Sequence, residues 1–299
     1  MKKFLTVIFA SVWSIVGFAQ ALPSLLVNSD PQAMGAAGIS ALGSRAYSLQ
    51  GFAAGTALMD DIAAAGVSYG SWQPDAAADK ILSASAAVLL KEKFSVAIEY
   101  KNFAQPSYEV TGATGSISQV TPSFTPKESS FALGLGYRIM DGLSAALTVR
   151  STSSVLATNA KASVIGVDVS AMYAKNALQA GLAVCNIGGK VNYGGSDYSQ
   201  PSLVKGGGSY EVIDGLKAAA EFAFLFEGAF GASLGAEYCY ADIVSARAGY
   251  HLGSKDKGIP SYASVGLGAK YSGIGLNLAY LLASDTLGGS FLAGLSYNF

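Results

Sequence analysis

The feature that most constrains this chain is a strict alternation of apolar residues with small or polar ones. In the last segment, Phe291, Leu295 and Tyr297 share one face, while Gly294 and Ser296 share the other. The same period of two recurs in segments 94–101, 165–173, 244–251, 263–271 and 274–280. Because successive side chains of a strand point to opposite faces, each segment is predicted to be a β-strand with one apolar face.

The charged residues of these segments fall on the second face, so the apolar face is free to meet lipid. A charge facing lipid at mid-depth would cost roughly 2–4 kcal/mol. Charged residues make up 13% of the chain, about half the usual soluble share of roughly 25%. No uninterrupted run of 18 apolar residues follows residue 21, which excludes a spanning helix. A closed β-barrel is the remaining structure that satisfies every backbone group in lipid.

Turn signals such as Asp141-Gly142 and Asp214-Gly215 separate the strands and alternate with longer polar loops. The sequence predicts an all-β fold, a transmembrane antiparallel β-barrel over residues 63–299. Glu227-Gly228 is the exception, a tight turn where a longer loop is due. The longest loop, 104–128, is a candidate outer binding loop or constriction. The 14 predicted strands are 63–71, 81–91, 94–103, 129–139, 143–151, 163–173, 177–187, 202–212, 216–226, 229–240, 243–252, 261–271, 274–283 and 290–299.

The first 21 residues have the pattern of a secretory signal peptide. Lys2 and Lys3 precede an apolar stretch from Phe4 to Phe18, and Ala19-Gln20-Ala21 fits a small-residue cleavage site, with cleavage after Ala19 also possible. The apolar stretch is short for a transmembrane anchor, which needs about 20 residues. Residues 1–21 are therefore predicted to direct export.

Residues 22–62 differ from the strands because they are rich in Gly and Ala and lack clean alternation. A barrel of 14 strands has a lumen wide enough to need water or a plug. We expect this segment to fold back inside as a plug. The alternative is a flexible periplasmic arm, which would be more polar and more charged.

Charges at lumen-facing positions carry both signs, and they include Lys101, Lys205 and Glu221. One interpretation is a paired network that holds the plug, and the sharper one is a selective pore lining. The candidate lumen charges are Glu99, Arg150, Asp168, Glu237, Arg247 and Lys270.

Catalytic chemistry finds little support in the sequence. His251 is the single histidine, and it is expected to be a polar lumen or rim residue rather than a catalytic base. One His and two Cys do not make a His-based metal cluster, so no metal or cofactor is predicted. Cys185 and Cys239 lie three predicted strands apart, too far for a disulfide. A net charge of −1 argues against a nucleic-acid partner.

Several stretches resemble the PorV/PorQ family of Bacteroidota. The candidate plug motif spans residues 30–38, with Asp30, Met34, Gly35 and Gly38, and a second stretch runs from Arg45 to Gly55. The family typically has Asn-Pro-Ala-Gly where this chain has Phe-Ala-Ala-Gly at 52–55. Further similar stretches are 171–193, 233–253 and 267–299.

The resemblance implies an outer-membrane barrel with a fold similar to that of the FadL fatty-acid channels. It also implies a non-catalytic accessory role in type IX protein secretion, in which the barrel docks secretion-system proteins or exported cargo. The rival hypothesis is a FadL-like channel for small hydrophobic molecules. A third is a mainly structural barrel within a larger complex. Outer-membrane lipid is an expected partner in every case.

Overall fold

The computed structural model describes residues 21–109, 123–157 and 160–299, and its main element is a closed antiparallel barrel of 14 strands. Each strand pairs with the next in the chain, and β1 pairs with β14 to close the barrel. The predicted barrel is confirmed. Its strands are β1 Ala63–Trp72, β2 Asp79–Leu90, β3 Phe94–Ala104, β4 Lys127–Met140, β5 Leu143–Ala157, β6 Ala160–Lys175, β7 Leu178–Gly188, β8 Leu203–Ile213, β9 Leu216–Leu225, β10 Phe230–Tyr240, β11 Val244–Leu252, β12 Tyr262–Tyr271, β13 Ile274–Leu282 and β14 Phe291–Asn298.

Strands β5 and β6 extend further than their predicted ranges of 143–151 and 163–173. The hydroxyl-rich stretch between them looked like a loop in the sequence. In the structure Ser153 pairs with Ser163 across the two strands, and their hydroxyl oxygens lie 2.9 Å apart. Cross-strand hydroxyl contacts of this kind extend a sheet beyond its apolar part.

The two faces of the barrel wall differ in character, as the alternation predicts. On β4 and β5, Leu133, Leu135 and Val149 are exposed on the outer face. Their neighbours Ala132 and Thr148 are fully buried on the inner face. The apolar side chains therefore form the outside of the barrel, and the small or polar ones line its lumen.

The connections divide the barrel into a turn end and a loop end. Tight turns such as Asp141-Gly142 lie at the turn end, where Gly142 has a positive φ of 76°. The loop end carries the longer connections, and residues 110–122 of the predicted loop 104–128 lie outside the described residues. The exceptional turn at Glu227-Gly228 is tight in the structure, since Gly228 N donates to Leu225 O at 2.8 Å. Two small hairpins at the loop end pair Tyr108–Glu109 with Ser123–Phe124 and Lys190–Asn192 with Asp197–Ser199.

Residues 22–62, called here the N-terminal segment, run through the lumen from the loop end to the turn end. Ala21 N donates to Ser199 O at the loop end, and Ile62 N donates to Phe299 O at the turn end. The predicted signal peptide, apart from Ala21, lies outside the described residues. No helix of the described ranges is long and apolar enough to cross a membrane. The segment contains the short α-helix α1, Pro31–Met34, and four 3-10 turns, Pro23–Leu26, Ser40–Leu42, Arg45–Gln50 and Ala53–Leu58.

Large side chains of the N-terminal segment fill holes left by glycines in the barrel wall. A Cβ added at any of three inward-facing glycines would lie 2.4–2.7 Å from a side chain of the segment. Such contacts are shorter than atoms tolerate, so these wall positions accept no side chain without a shift of the segment. The three pairs are Tyr47 with Gly66, Leu49 with Gly134 and Phe52 with Gly181.

Candidate functional site

A buried ionic cluster joins three strands on one side of the lumen. Arg150 on β5 donates to Glu99 on β3 at 2.8 Å, and its other terminal nitrogen lies 3.5 Å from Asp168 on β6. That nitrogen also donates to the carbonyl of Leu49 at 2.9 Å. Strand register thus brings three predicted lumen charges together, and the arginine links them to the N-terminal segment.

A second ion pair lies nearer the turn end. Arg247 on β11 donates to Glu237 on β10 and, at 2.9 Å, to the amide oxygen of Asn277.

Lys270 differs from the other candidate lumen charges. It has the inward parity expected from the sequence, but it stands one residue from the end of β12 and is exposed. Parity alone does not bury a side chain at a strand end, so Lys270 is not part of the buried lumen.

Asp30 fixes the fold of the N-terminal segment. Its two carboxylate oxygens accept from Gln32 N at 2.9 Å and Ser44 N at 2.7 Å, which caps α1 and ties it to the following turn. Burial disfavours the charged form and raises the pKa of Asp30 to about 6. The attraction of Arg247 and the backbone hydrogen bonds act in the opposite direction.

The other residues of the candidate plug motif serve close packing. A Cβ at Gly35 would lie 2.8 Å from the Cα of Gly266, so α1 and β12 approach backbone to backbone. Met34 is buried in a cluster with Trp72. The two remaining motif glycines lie apart: a Cβ at Gly38 would lie near the Tyr262 hydroxyl, and one at Gly55 near Arg45 and Met172.

Two lysines of the barrel wall donate hydrogen bonds to backbone carbonyl groups of the N-terminal segment. Lys101 Nζ donates to Ser24 O at 2.8 Å and Val27 O at 2.9 Å. Lys205 Nζ donates to Gln50 O at 2.7 Å. On the same side as Lys205, Glu221 accepts from the backbone of Ser40 at 2.8 Å and from its hydroxyl at 3.1 Å.

A cavity of about 310 Å³ remains between the N-terminal segment and the barrel wall, near the loop end. Its size is at the lower end of the range for small-molecule sites, roughly 300–1,000 Å³. No sequence signal could have revealed it, because it is the space left over after the segment has packed. Apolar side chains that line it are Met34, Trp72, Leu203, Leu225, Ile259 and Leu287.

His251 lines this cavity and has no catalytic surroundings. Its Nδ1 lies 2.9 Å from the hydroxyl of Ser233, and its ring stacks on Tyr262 with centroids 5.1 Å apart. Over the residues that the structure describes, no carboxylate bonds to the imidazole. The arrangement therefore lacks the acidic partner of a nucleophile–base pair.

Neither cysteine is bonded, and metal-binding clusters are not found in the described ranges. Cys185 on β7 and Cys239 on β10 are both free and partly buried. No group of three or more His, Cys, Asp or Glu side chains within residues 21–109, 123–157 and 160–299 could hold a metal ion.

Comparisons with known proteins show what the fold is. No family model and no curated protein matches the chain. Among solved structures, a FadL homologue of Pseudomonas aeruginosa has a TM-score of 0.60 at 13% identity, covering 95% of this chain and 100% of that one. The toluene transporter TodX of Pseudomonas putida reaches 0.63 at 13% identity, covering 91% and 98%.

The monoaromatic hydrocarbon channel CymD gives a TM-score of 0.60 at 13% identity, covering 92% of this chain and 98% of that one. At such identities the similarity shows the fold alone. The chain therefore has a FadL-like fold, a 14-stranded barrel with a short helical N-terminal segment. The resemblance to PorV and PorQ gains no further support.

Proposed function

We propose that this protein is a non-catalytic outer-membrane channel for small hydrophobic molecules. The observation that carries this proposal is the cavity between the N-terminal segment and the wall, whose lining is mainly apolar. Apolar concave sites with a few polar groups are typical of small-molecule binding. The similar folds of a toluene transporter and a monoaromatic hydrocarbon channel favour the same class of ligand.

An outer-membrane location follows from the outer face of the barrel. Exposed leucine, valine and isoleucine side chains cover it, and aromatic pairs such as Phe94–Tyr137 and Tyr297–Phe299 lie at the turn end. An apolar band with aromatic girdles is typical of transmembrane barrels. Such barrels have short turns on the periplasmic side and longer loops outside, so in this proposal the turn end faces the periplasm and the loop end faces outwards.

The N-terminal segment acts in this proposal as the plug of the channel. It runs through the lumen, and its large side chains occupy the space beside the wall glycines towards the turn end. The cavity lies near the loop end. A molecule in the cavity reaches the periplasm only if the segment shifts. The hydrogen bonds from Arg150 and Lys205 to the carbonyl groups of Leu49 and Gln50 are among the contacts that such a shift must break.

Docking of secretion partners is the second candidate, and it rests on the resemblance to PorV and PorQ. The N-terminal motif that carries part of this resemblance is engaged in internal packing, such as the contact of Gly35 with Gly266. Packing inside the lumen accounts for the motif without an exported partner, so the channel is favoured.

Uptake by whole cells tests the channel. The full-length protein, expressed in the outer membrane of a Gram-negative host, is expected to speed uptake of radiolabelled toluene. Ala223→Phe places a ring in the cavity and is expected to abolish most of this gain. Ala220→Phe adds the same ring on the exposed outer face of the same strand and serves as the control.

Uptake no faster than in cells without the protein would contradict the channel. Equal uptake by the Ala223→Phe variant would show that passage does not use this cavity. The docking hypothesis makes a different forecast, namely that deletion of the gene in the native organism traps exported cargo in the periplasm.

A further inference from the structure

Two polar side chains on the wall of the cavity are opposite each other on neighbouring strands. His251 on β11 and Tyr262 on β12 are partners in register, and both side chains line the cavity. Within the described part of the chain the Tyr262 hydroxyl makes no hydrogen bond. The stacked rings thus place two polar groups beside the mainly apolar lining of the cavity.

The hydrogen bonds of Ser233 determine which nitrogen of His251 is free. The hydroxyl of Ser233 has one proton, and it donates that proton to the carbonyl of Ala37 at 2.8 Å. It can therefore only accept from Nδ1 of His251, 2.9 Å away. In the neutral ring the proton is assigned to Nδ1 by this network, and Nε2 is a hydrogen-bond acceptor.

Two glycines leave both polar atoms uncovered. A Cβ at Gly231 would lie 3.2 Å from Nε2 of His251, and a Cβ at Gly38 would lie 3.4 Å from the hydroxyl oxygen of Tyr262. Both glycines line the cavity. The wall therefore offers one acceptor and one group that can both donate and accept, side by side.

The charged groups at the edge of the cavity are already occupied. Lys101 and Lys205 donate to carbonyls of the N-terminal segment, and Arg150 is held by Glu99, Asp168 and the carbonyl of Leu49. A ligand with a carboxylate would compete with these carbonyl and carboxylate acceptors for the same cationic groups. A neutral ligand leaves them in place.

We infer that the cavity selects small neutral alcohols and phenols, molecules with a hydrocarbon part and one hydroxyl group. The ligand hydroxyl donates to Nε2 of His251 and accepts from the hydroxyl of Tyr262, while Met34, Trp72 and Leu287 contact its hydrocarbon part. A cavity of about 310 Å³ accommodates a single-ring molecule. This inference rests on the proposed function and names the class of ligand.

Two probes of nearly the same shape test it with the purified full-length protein in detergent. Benzyl alcohol carries a hydroxyl where ethylbenzene carries a methyl group. Trp72 lines the cavity and is the only tryptophan after residue 21, so its fluorescence reports binding. The same detergent concentration is used throughout, so partition of each probe into micelles cancels in the ratio of variant to wild type.

Tyr262→Phe removes only the hydroxyl, and His251→Leu removes the acceptor. Each variant is expected to raise the Kd for benzyl alcohol about three- to tenfold, the worth of one hydrogen bond, and to leave the Kd for ethylbenzene unchanged. Tyr250→Phe, on the exposed face of β11, is the matched control and should change neither value. A heat shift on gels confirms that each barrel is folded, and Tyr262→Phe alone decides if His251→Leu does not fold.

Variants that leave both Kd values unchanged, or that shift them equally, would overturn the selection for a hydroxyl while leaving the channel intact. Failure of the wild-type protein to bind either probe would overturn the proposed function as well. The two failures are therefore distinguishable in one set of titrations.

Discussion

Two sides of the same lumen are built differently. On the filled side, β3 to β6 present small residues to the lumen together with the ionic cluster of Glu99, Arg150 and Asp168, and Leu49 with its neighbours occupies the space down to the wall. On the cavity side, β8 to β12 present Lys205, Glu221, His251 and Tyr262, and near the loop end space remains between these side chains and the N-terminal segment. On both sides the strands nevertheless show the same alternation of outward-facing apolar residues with inward-facing small or polar ones.

The difference shows that the alternation of residues specifies the barrel wall but not how the lumen is filled. Filling the lumen requires large side chains of the segment to lie opposite small residues of the wall. The space beside a small wall residue is filled where a large side chain of the segment lies opposite, as Leu49 fills the space beside Gly134. Close packing of this kind is stabilising and resists change. Where no such partner exists, space remains, and that space is available to a ligand.

Loss of the buried arginine is expected to have the largest effect. Arg150→Met leaves Glu99 and Asp168 buried without their partner, which costs about 3–5 kcal/mol. Lys205→Met on the cavity side removes the hydrogen bonds to Gln50 O at 2.7 Å and Ser40 Oγ at 3.4 Å, and should cost only about 1–2 kcal/mol. The temperature at which the folded band disappears on unboiled gels measures both.

Neutralising all three members of the cluster separates charge from packing. Adding Glu99→Gln and Asp168→Asn to Arg150→Met should recover much of the lost heat resistance, because none of the three positions then holds an unpaired buried charge. Equal losses for Arg150→Met and Lys205→Met would contradict the distinction between the two sides.

Asp30 should make the hold on the N-terminal segment depend on pH. Its pKa in the folded protein, about 6, is raised above the unfolded value of 3.8, so the folded state binds more protons between these values. The resulting stabilisation is complete below about pH 4 and is lost as the pH rises through 6, by about 3 kcal/mol at most. The urea concentration at which Trp72 fluorescence changes should therefore be lower at pH 7.5 than at pH 5.

Asp30→Asn is the control for this pH effect. The amide has no charge to desolvate, so the difference between the two pH values should shrink in the variant. A difference of the same size in the variant would assign the effect to another group.

The same substitution on the two sides offers a sharper contrast. Ala132→Leu inserts a side chain where the wall is fully buried against the segment, and overpacking costs about 1–3 kcal/mol. Ala223→Leu adds the same atoms to the cavity and should leave the segment in place. Arg45 is the only trypsin site in residues 22–62, so mass spectrometry of fragments ending there detects release. Cleavage at Arg45 to the same extent in both variants would break the comparison.

Much of the wall could be predicted from the sequence, whereas the lumen could not. Period-two alternation and turn dipeptides located all 14 strands, because each signal is local. Partners inside the lumen depend on register across strands that are distant in sequence. For example, the alternation predicts that Arg150 faces the lumen, but it does not predict that Glu99 and Asp168 are its partners.

The N-terminal segment illustrates the same limit. Its 3-10 turns have no hydrophobic period, so no sequence pattern pairs Phe52 with Gly181. Lys270 shows that parity is insufficient at a strand end. The cavity has no signal of its own, since it depends on the difference between the volume of the lumen and that of the segment.

The smallest expected effect concerns the two cysteines. Cys185 lines the cavity, whereas Cys239 lies towards the turn end of β10. Saturating ethylbenzene should slow modification of Cys185 by a small thiol reagent a few-fold, since a bound ligand blocks access, and should leave Cys239 unchanged. Single Cys→Ser variants assign the two rates, and equal protection of both thiols would place the ligand elsewhere.

Crystals soaked in bromobenzene test the central claim most directly, namely that the cavity beside the N-terminal segment takes up a small hydrophobic molecule. Anomalous scattering locates the bromine without reference to the protein coordinates. The account predicts a bromine peak between Met34, Trp72 and Tyr262, with the N-terminal segment still packed on β3 to β6. Bromine found only on the outer surface of the barrel, or a lumen without the segment, would contradict it.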